Sequence, residues 1–297
     1  MFAPPEKSSG LLARFIFIAT LFFVLAQGIL LLALYLKTGN LAEISNIIQL
    51  AKEYPVFIKS LQLLQSLIIF LLPALLFPYF SGVTPPAFFP QGKIRISTLF
   101  IVFLFVTISI PFVNTLVQIN KMLPFSPEVL AYLEAQQDAA DHLVKILLSA
   151  NKGLGGLVLD TLVIAIVPAI AEEFFFRGVL QQILHKMLRN IHVAIILTAF
   201  VFSLVHFQFL TFLPRFYLGI VLGYLFYWSR NIWVSITAHF INNFYGVFVS
   251  HTLPEGWQDK MDAIGSDISP ESLILNFLVV IIIFYAIQKH FEHVKQR

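Results

Sequence analysis

Glu172 and Glu173 stand side by side within an apolar run, Leu154 to Leu184, long enough to cross a bilayer as one helix. A charge at the bilayer centre costs about 2.5–3.5 kcal/mol on insertion scales. Two adjacent carboxylates, with Arg177 one turn on, therefore mark a functional site by default. Three more polar groups fall in apolar runs: His206 in AFVFSLVHFQF, and His239 and Asn243 in SITAHFINNFYGVF. Helical rise places Glu172 ~18 Å from Leu184, His206 ~21 Å from His192, and His239 and Asn243 ~12 and ~18 Å from Asn231. These four side chains on three helices share one level near the middle of a ~30 Å hydrocarbon core, whichever way the chain is inserted.

Spacing refines the picture. His239 and Asn243 are i and i+4 and stack on one face. Glu173 and Arg177 have the same spacing, in the favourable order, and read as a structural pair. Glu172 is turned ~100° from Glu173 and is free to face elsewhere. Pro168 removes a backbone donor and frees the carbonyl of Ile164, which predicts a kink just before the glutamates. A lone histidine or asparagine in a membrane helix is more often interhelical glue. Glue does not require a carboxylate, two imidazoles and an amide at one level. Gln27, Asn114, Gln118, Asp160 and Gln208 read as packing or edge residues.

The chemistry open to such a set is hydrolysis. A buried carboxylate beside a histidine can take a proton from water, and an imidazole and an amide can donate to a developing oxyanion. Glu172, His206 and His239 are equally an acceptable set for a divalent metal such as zinc. The residues alone leave both forms open.

The elements that carry these groups follow from composition. The chain of 297 residues is 58% hydrophobic and 12% charged, with a mean hydropathy of +0.85. Soluble domains carry about 25% charged residues, so this is an all-α polytopic membrane helix bundle. There is no cysteine, which excludes disulfides, thiol nucleophiles and thiolate metal sites. A formal charge of +3 suggests no nucleic-acid partner. Eight spans are expected, at 11–36, 58–80, 97–119, 155–184, 192–211, 213–229, 231–250 and 272–289. The first is too long for a signal peptide and is retained. Connections 37–57 (with Glu43, Lys52 and Glu53) and 120–154 read as amphipathic helices at the interface, the second capped by Ser126 before Pro127. Connection 251–271 is acidic, with Glu255, Asp259, Asp262, Asp267 and Glu271, and Ser269–Pro270 repeats the cap signal.

One membrane-embedded domain, 1–297, divides into 1–150 without motifs, the core spans 155–250, and the acidic loop with the last span, 251–297. With both termini in the cytoplasm, ten lysines and arginines lie inside, among them Lys7, Lys93 and Arg297. Eight lie outside, among them Lys59, Lys152 and Arg215. The inside charges sit in short loops, where the positive-inside rule applies best.

Signatures of other intramembrane enzymes are absent: no H-E-x-x-H, no G-x-S-x-G, and no aspartate after Gly153–Leu154–Gly155. The chain instead resembles the CPBP (Abi/CAAX protease-like) intramembrane proteases, which include the type II CAAX prenyl endopeptidases. E-E-x-x-x-R matches Glu172, Glu173 and Arg177, within a surround running from Pro168 through Phe176 to Gly178. F-x-x-x-H matches Phe202 and His206, and H-x-x-x-N matches His239 and Asn243. The resemblance implies an eight-helix endopeptidase in a membrane. Glu172 and His206 would activate water, His239 and Asn243 would stabilise the oxyanion, and Glu173, Arg177 and Phe202 would support them. The substrate would be a peptide or membrane protein, lipidated or not, and the setting a bacterial cytoplasmic membrane. The competing readings are a non-catalytic peptide-binding or bacteriocin-immunity protein and a proton-coupled transporter. The transporter is disfavoured by the lack of an internal repeat.

Overall fold

The computed structural model describes residues 8–40, 46–82, 88–91, 94–151, 153–254, 256–257, 260 and 263–295. Lys7, Lys93, Lys152 and Arg297, counted for orientation, lie outside these residues, as do Glu43, Glu255, Asp259 and Asp262. The chain is an all-α bundle. Its helices are α1 (Ser8–Thr38), α2 (Ile47–Glu53), α3 (Pro55–Ser81), α4 (Ile96–Lys121) and α5 (Pro127–Ala150). They continue with α6 (Gly153–Leu188), α7 (Ile191–Leu204), α8 (Phe212–Ser229), α9 (Ile232–Thr252) and α10 (Pro270–Lys295). Seven helices, all of these except α2, α5 and α7, are apolar and long enough to cross a membrane.

The fifth expected span is where the structure departs most. The helix ends at Leu204 rather than 211. Val205 and His206 form a turn, Phe207 takes a left-handed φ of 53°, and Phe209–Thr211 make one 3-10 turn before α8. Ser203 Oγ donates to Phe212 O at 2.7 Å across this reversal. Buried Asn120, at the end of α4, donates to Phe209 O and accepts from Leu213 N, both at 2.8 Å. An amide that uses both of its ends holds the turn as a backbone partner would.

The caps behave as expected. Ser126 Oγ accepts from Val129 N at the start of α5, and Ser269 Oγ accepts from Ser272 N at the start of α10. The kink expected at Pro168 takes the form of a π turn over Thr161–Ile166. Val167 N–H bonds Leu162 O, five residues back. A second π turn covers Phe174–Leu180, and a third, Leu67–Leu71, lies within α3. The two glutamates therefore sit on a short α segment, 167–173, between two wide turns.

α6 runs through the middle, with α1, α3, α7 and α9 packed around it. Its core face buries Phe176 and Val179 against Phe15, Phe77, Phe202 and Ile236. A second cluster joins α4, α8, α9 and α10 through Phe105, Leu225, Val234 and Ile287. A third joins α1, α2, α3 and α5 through Leu34, Leu50, Ile58 and Leu147. α7 and α8 approach closely because Gly219 and Gly223 carry no side chain. A Cβ at Gly219 would lie 2.9 Å from Ala199 Cα, and one at Gly223 would lie 2.8 Å from Ile195 Cγ2. This is the small-xxx-small contact by which membrane helices pack.

Gly219→Ala should lower stability by ~1–3 kcal/mol, the usual cost of overpacking. Gly28→Ala, where a Cβ would meet nothing within 4 Å, is the control. Melting in detergent reads both; equal melting of the two variants would show that the α7–α8 contact does not depend on Gly219.

Candidate active site

Glu173 is the hub. It is 0% exposed, and its Oε1 accepts from Arg177 Nη1 at 2.7 Å and from His239 Nδ1 at 3.0 Å. The Glu173–Arg177 pair is the one expected from spacing; the bond to His239 is not. Arg177, also 0% exposed, sends Nη2 to Gly219 O at 3.0 Å and lays its guanidinium 4.8 Å from the Phe202 ring centre. One turn on, Gln181 Nε2 donates to Gly223 O at 3.2 Å. The bare backbone of Gly219-x-x-x-Gly223 thus serves two polar side chains of α6, and the glycine spacing was the sequence signal for it.

Glu172 differs from its neighbour. It is 9% exposed, at the edge of the enclosed region, and its Oε2 has no hydrogen-bond partner in the protein. Oε2 faces His239 Nε2 at 3.9 Å, too far for a direct hydrogen bond. His239 therefore stands between both glutamates. Its Nδ1–H is used on Glu173, which leaves a lone pair on Nε2 of the neutral ring, turned toward Glu172.

His206 lies on the turn after α7 and not within the helix, as was expected. Its Nδ1 donates to Phe202 O at 2.7 Å, so its Nε2 also carries a lone pair. No ion-pair contact joins His206 directly to Glu172, although His206 lies within electrostatic reach of Glu172 and His239. Phe202 brings the two imidazoles to one level: its ring centre is 5.1 Å from His206 and 5.8 Å from His239. One buried ring thus walls the guanidinium and both imidazoles. Asn243, half-buried one turn beyond His239, accepts from Asn242 Nδ2 at 3.2 Å and keeps its own amide N–H groups for other partners.

Gly178 of the first motif has a packing reason: a Cβ there would lie 2.5 Å from the Phe89 ring. Arg215, counted among the outer-loop charges, instead bonds Gln208 Oε1 and Thr211 Oγ1 within electrostatic reach of Glu172. As for a metal, no group of three or more His, Asp or Glu side chains among the described residues is arranged to hold an ion. Both rings bond through Nδ1 and keep Nε2 for another partner, which is also how a metal-ligating histidine is held, and His239 Nε2 lies 3.9 Å from Glu172 Oε2.

All three motifs fall inside residues 154–245, the stretch that matches the family described as type II CAAX prenyl endopeptidase Rce1-like. That stretch, about a third of the chain, is similar to the Rce1-like family. The match agrees with the resemblance read from Glu172, Glu173, Arg177, Phe202, His206, His239 and Asn243, and at family level it is a match to proteases. The matched region runs from α6 into α9 and leaves α1–α5 and α10 outside it. The chain is also similar to the uncharacterized protein YpbD of Bacillus subtilis (strain 168), 34% identical over 77 residues. That alignment covers 25% of this chain and 36% of YpbD, so the chain spans about a third of its relative's length. No solved structure matches the chain.

Removing one partner of a buried pair typically costs ~3–5 kcal/mol. Arg177→Ala should therefore reduce the folded yield and the melting temperature in detergent. Normal melting of that variant would show that Glu173 tolerates its burial without the guanidinium.

Proposed function

We propose that this chain is an intramembrane endopeptidase in which Glu172 activates the attacking water. The observation that carries this is the environment of Glu172. A carboxylate oxygen at the rim of the buried site has no protein hydrogen-bond partner, and it faces an imidazole nitrogen whose orientation Glu173 fixes. Such an oxygen is suited to hold water. The water gives a proton to Glu172 as its oxygen attacks the peptide carbonyl. The C–N bond then breaks as that proton passes to the leaving nitrogen. One hydrogen of the water goes to Glu172, and His206 Nε2, in the neutral ring, accepts the other and orients it. Asn243 Nδ2 donates to the oxyanion. His239 joins it as a donor only as the imidazolium, because the neutral ring uses its one N–H on Glu173.

The substrate is a peptide or a membrane protein, lipidated or not, as the name of the Rce1-like family suggests. The lysine and arginine count favours both termini in the cytoplasm of a bacterial cell. A comparison of membrane peptide profiles between wild-type and Glu172→Ala cells identifies what is cut.

Glu172→Gln should melt as the wild type does and lose turnover by ~10²–10⁴. A purified Gln variant that retains more than about a tenth of the rate is not missing its general base. Asn243→Ala should lose ~10²–10³, leaving a measurable remainder. Metal analysis closes the alternative: stoichiometric zinc in the wild type, absent from His239→Ala, would overturn the glutamate form.

A further inference from the structure

A second buried ionic group stands on the two helices that carry Glu173 and His239. Asp160 of α6 is fully enclosed. Lys59 Nζ of α3, also enclosed, lies 2.5 Å from its Oδ1, and His251 Nε2 of α9 lies 2.8 Å from its Oδ2. Sequence alone placed Asp160 with the packing residues and Lys59 among the outer charges, and gave no sign that the two pair. None of the three belongs to the chemistry above. Apolar replacement of a buried ion pair is often neutral or stabilising, so energy alone does not explain them; the best-attested use of such groups is to fix register.

The register can be counted. Asp160 and Glu173 are thirteen positions apart on α6, whereas His251 and His239 are twelve apart on α9. The pairs run in opposite chain directions, so the helices are antiparallel. The two intervals differ by one residue, ~1.5 Å of rise, which side chains of this length absorb, so both carboxylate–imidazole pairs close between the same two helices. The pair on Asp160 thereby limits how far α9 can slide or turn against α6 at the pair on Glu173.

We propose that Lys59, Asp160 and His251 are positioning residues. They clamp α6 to α9 about 18 Å from the site. They set the level at which Glu173 receives His239 Nδ1 and Glu172 faces Nε2. The consequence for turnover rests on the peptidase reading, but the clamp can be tested without a substrate.

The test is the nitrogen NMR spectrum of ¹⁵N-histidine-labelled protein in detergent, with the His239 signals assigned by their loss in His239→Gln. Wild type should show His239 as one Nδ1–H form bonded to a carboxylate. Lys59→Met/Asp160→Leu removes both charges together; the folded variant should show His239 as a mixture of tautomers. His251→Phe, which removes only the α9 side of the clamp, should show the same mixture. A folded Lys59→Met/Asp160→Leu protein with the wild-type His239 signal overturns the clamp. A folded His251→Phe protein with the wild-type His239 signal overturns it likewise, even where the double variant does not fold. Failure of the peptidase reading would appear separately, as turnover by Glu172→Gln with the His239 signal unchanged.

Discussion

A carboxylate fully enclosed among apolar helices has to be neutralised where it stands, and Glu173 is in that position. Its Oε1 takes Arg177 and His239 together, and much of the central packing follows from this. Arg177 is itself fully buried and needs further acceptors. It finds one in the carbonyl of Gly219, which is reachable because that stretch of α8 has no side chain in the way. It finds a face in Phe202, and Phe202 in turn flanks both imidazoles. Four helices are thus tied through one oxygen atom and its two donors.

The division of labour between the adjacent glutamates comes from the same arrangement. A step of one residue turns a helix by ~100°. Glu173 points into the bundle and is consumed by structure, while Glu172 points to its rim and keeps a lone pair. The two share a helix turn and a residue type. They differ only in azimuth, and azimuth decides which of them solvent can reach.

The fold class and the level of the site were legible because both depend on regular spacing. Long apolar runs give the spans, and the separations 173–177 and 239–243 give shared faces. Irregular backbone was not legible. The π turns of α6 leave no mark in composition, and Pro168 announces a disturbance without saying whether the helix kinks or widens. His206 was placed inside a helix because the apolar pattern continues past Leu204. Hydropathy reports burial, and a tucked turn held by Asn120 is buried as well. Asp160 and Lys59 were missed for a different reason: their partners lie about a hundred residues away in sequence, on helices whose register one sequence does not reveal.

The short α7 has a consequence for how water arrives. Fourteen residues make a helix ~21 Å long, against a hydrocarbon layer of ~30 Å. A membrane meets a helix that is too short by thinning around it. Thinning at the end of α7 would bring the polar headgroup region toward the turn that carries His206. On the peptidase reading, that mismatch would supply the water for hydrolysis. Bilayer thickness would then govern access to the site, alongside the side chains that line it.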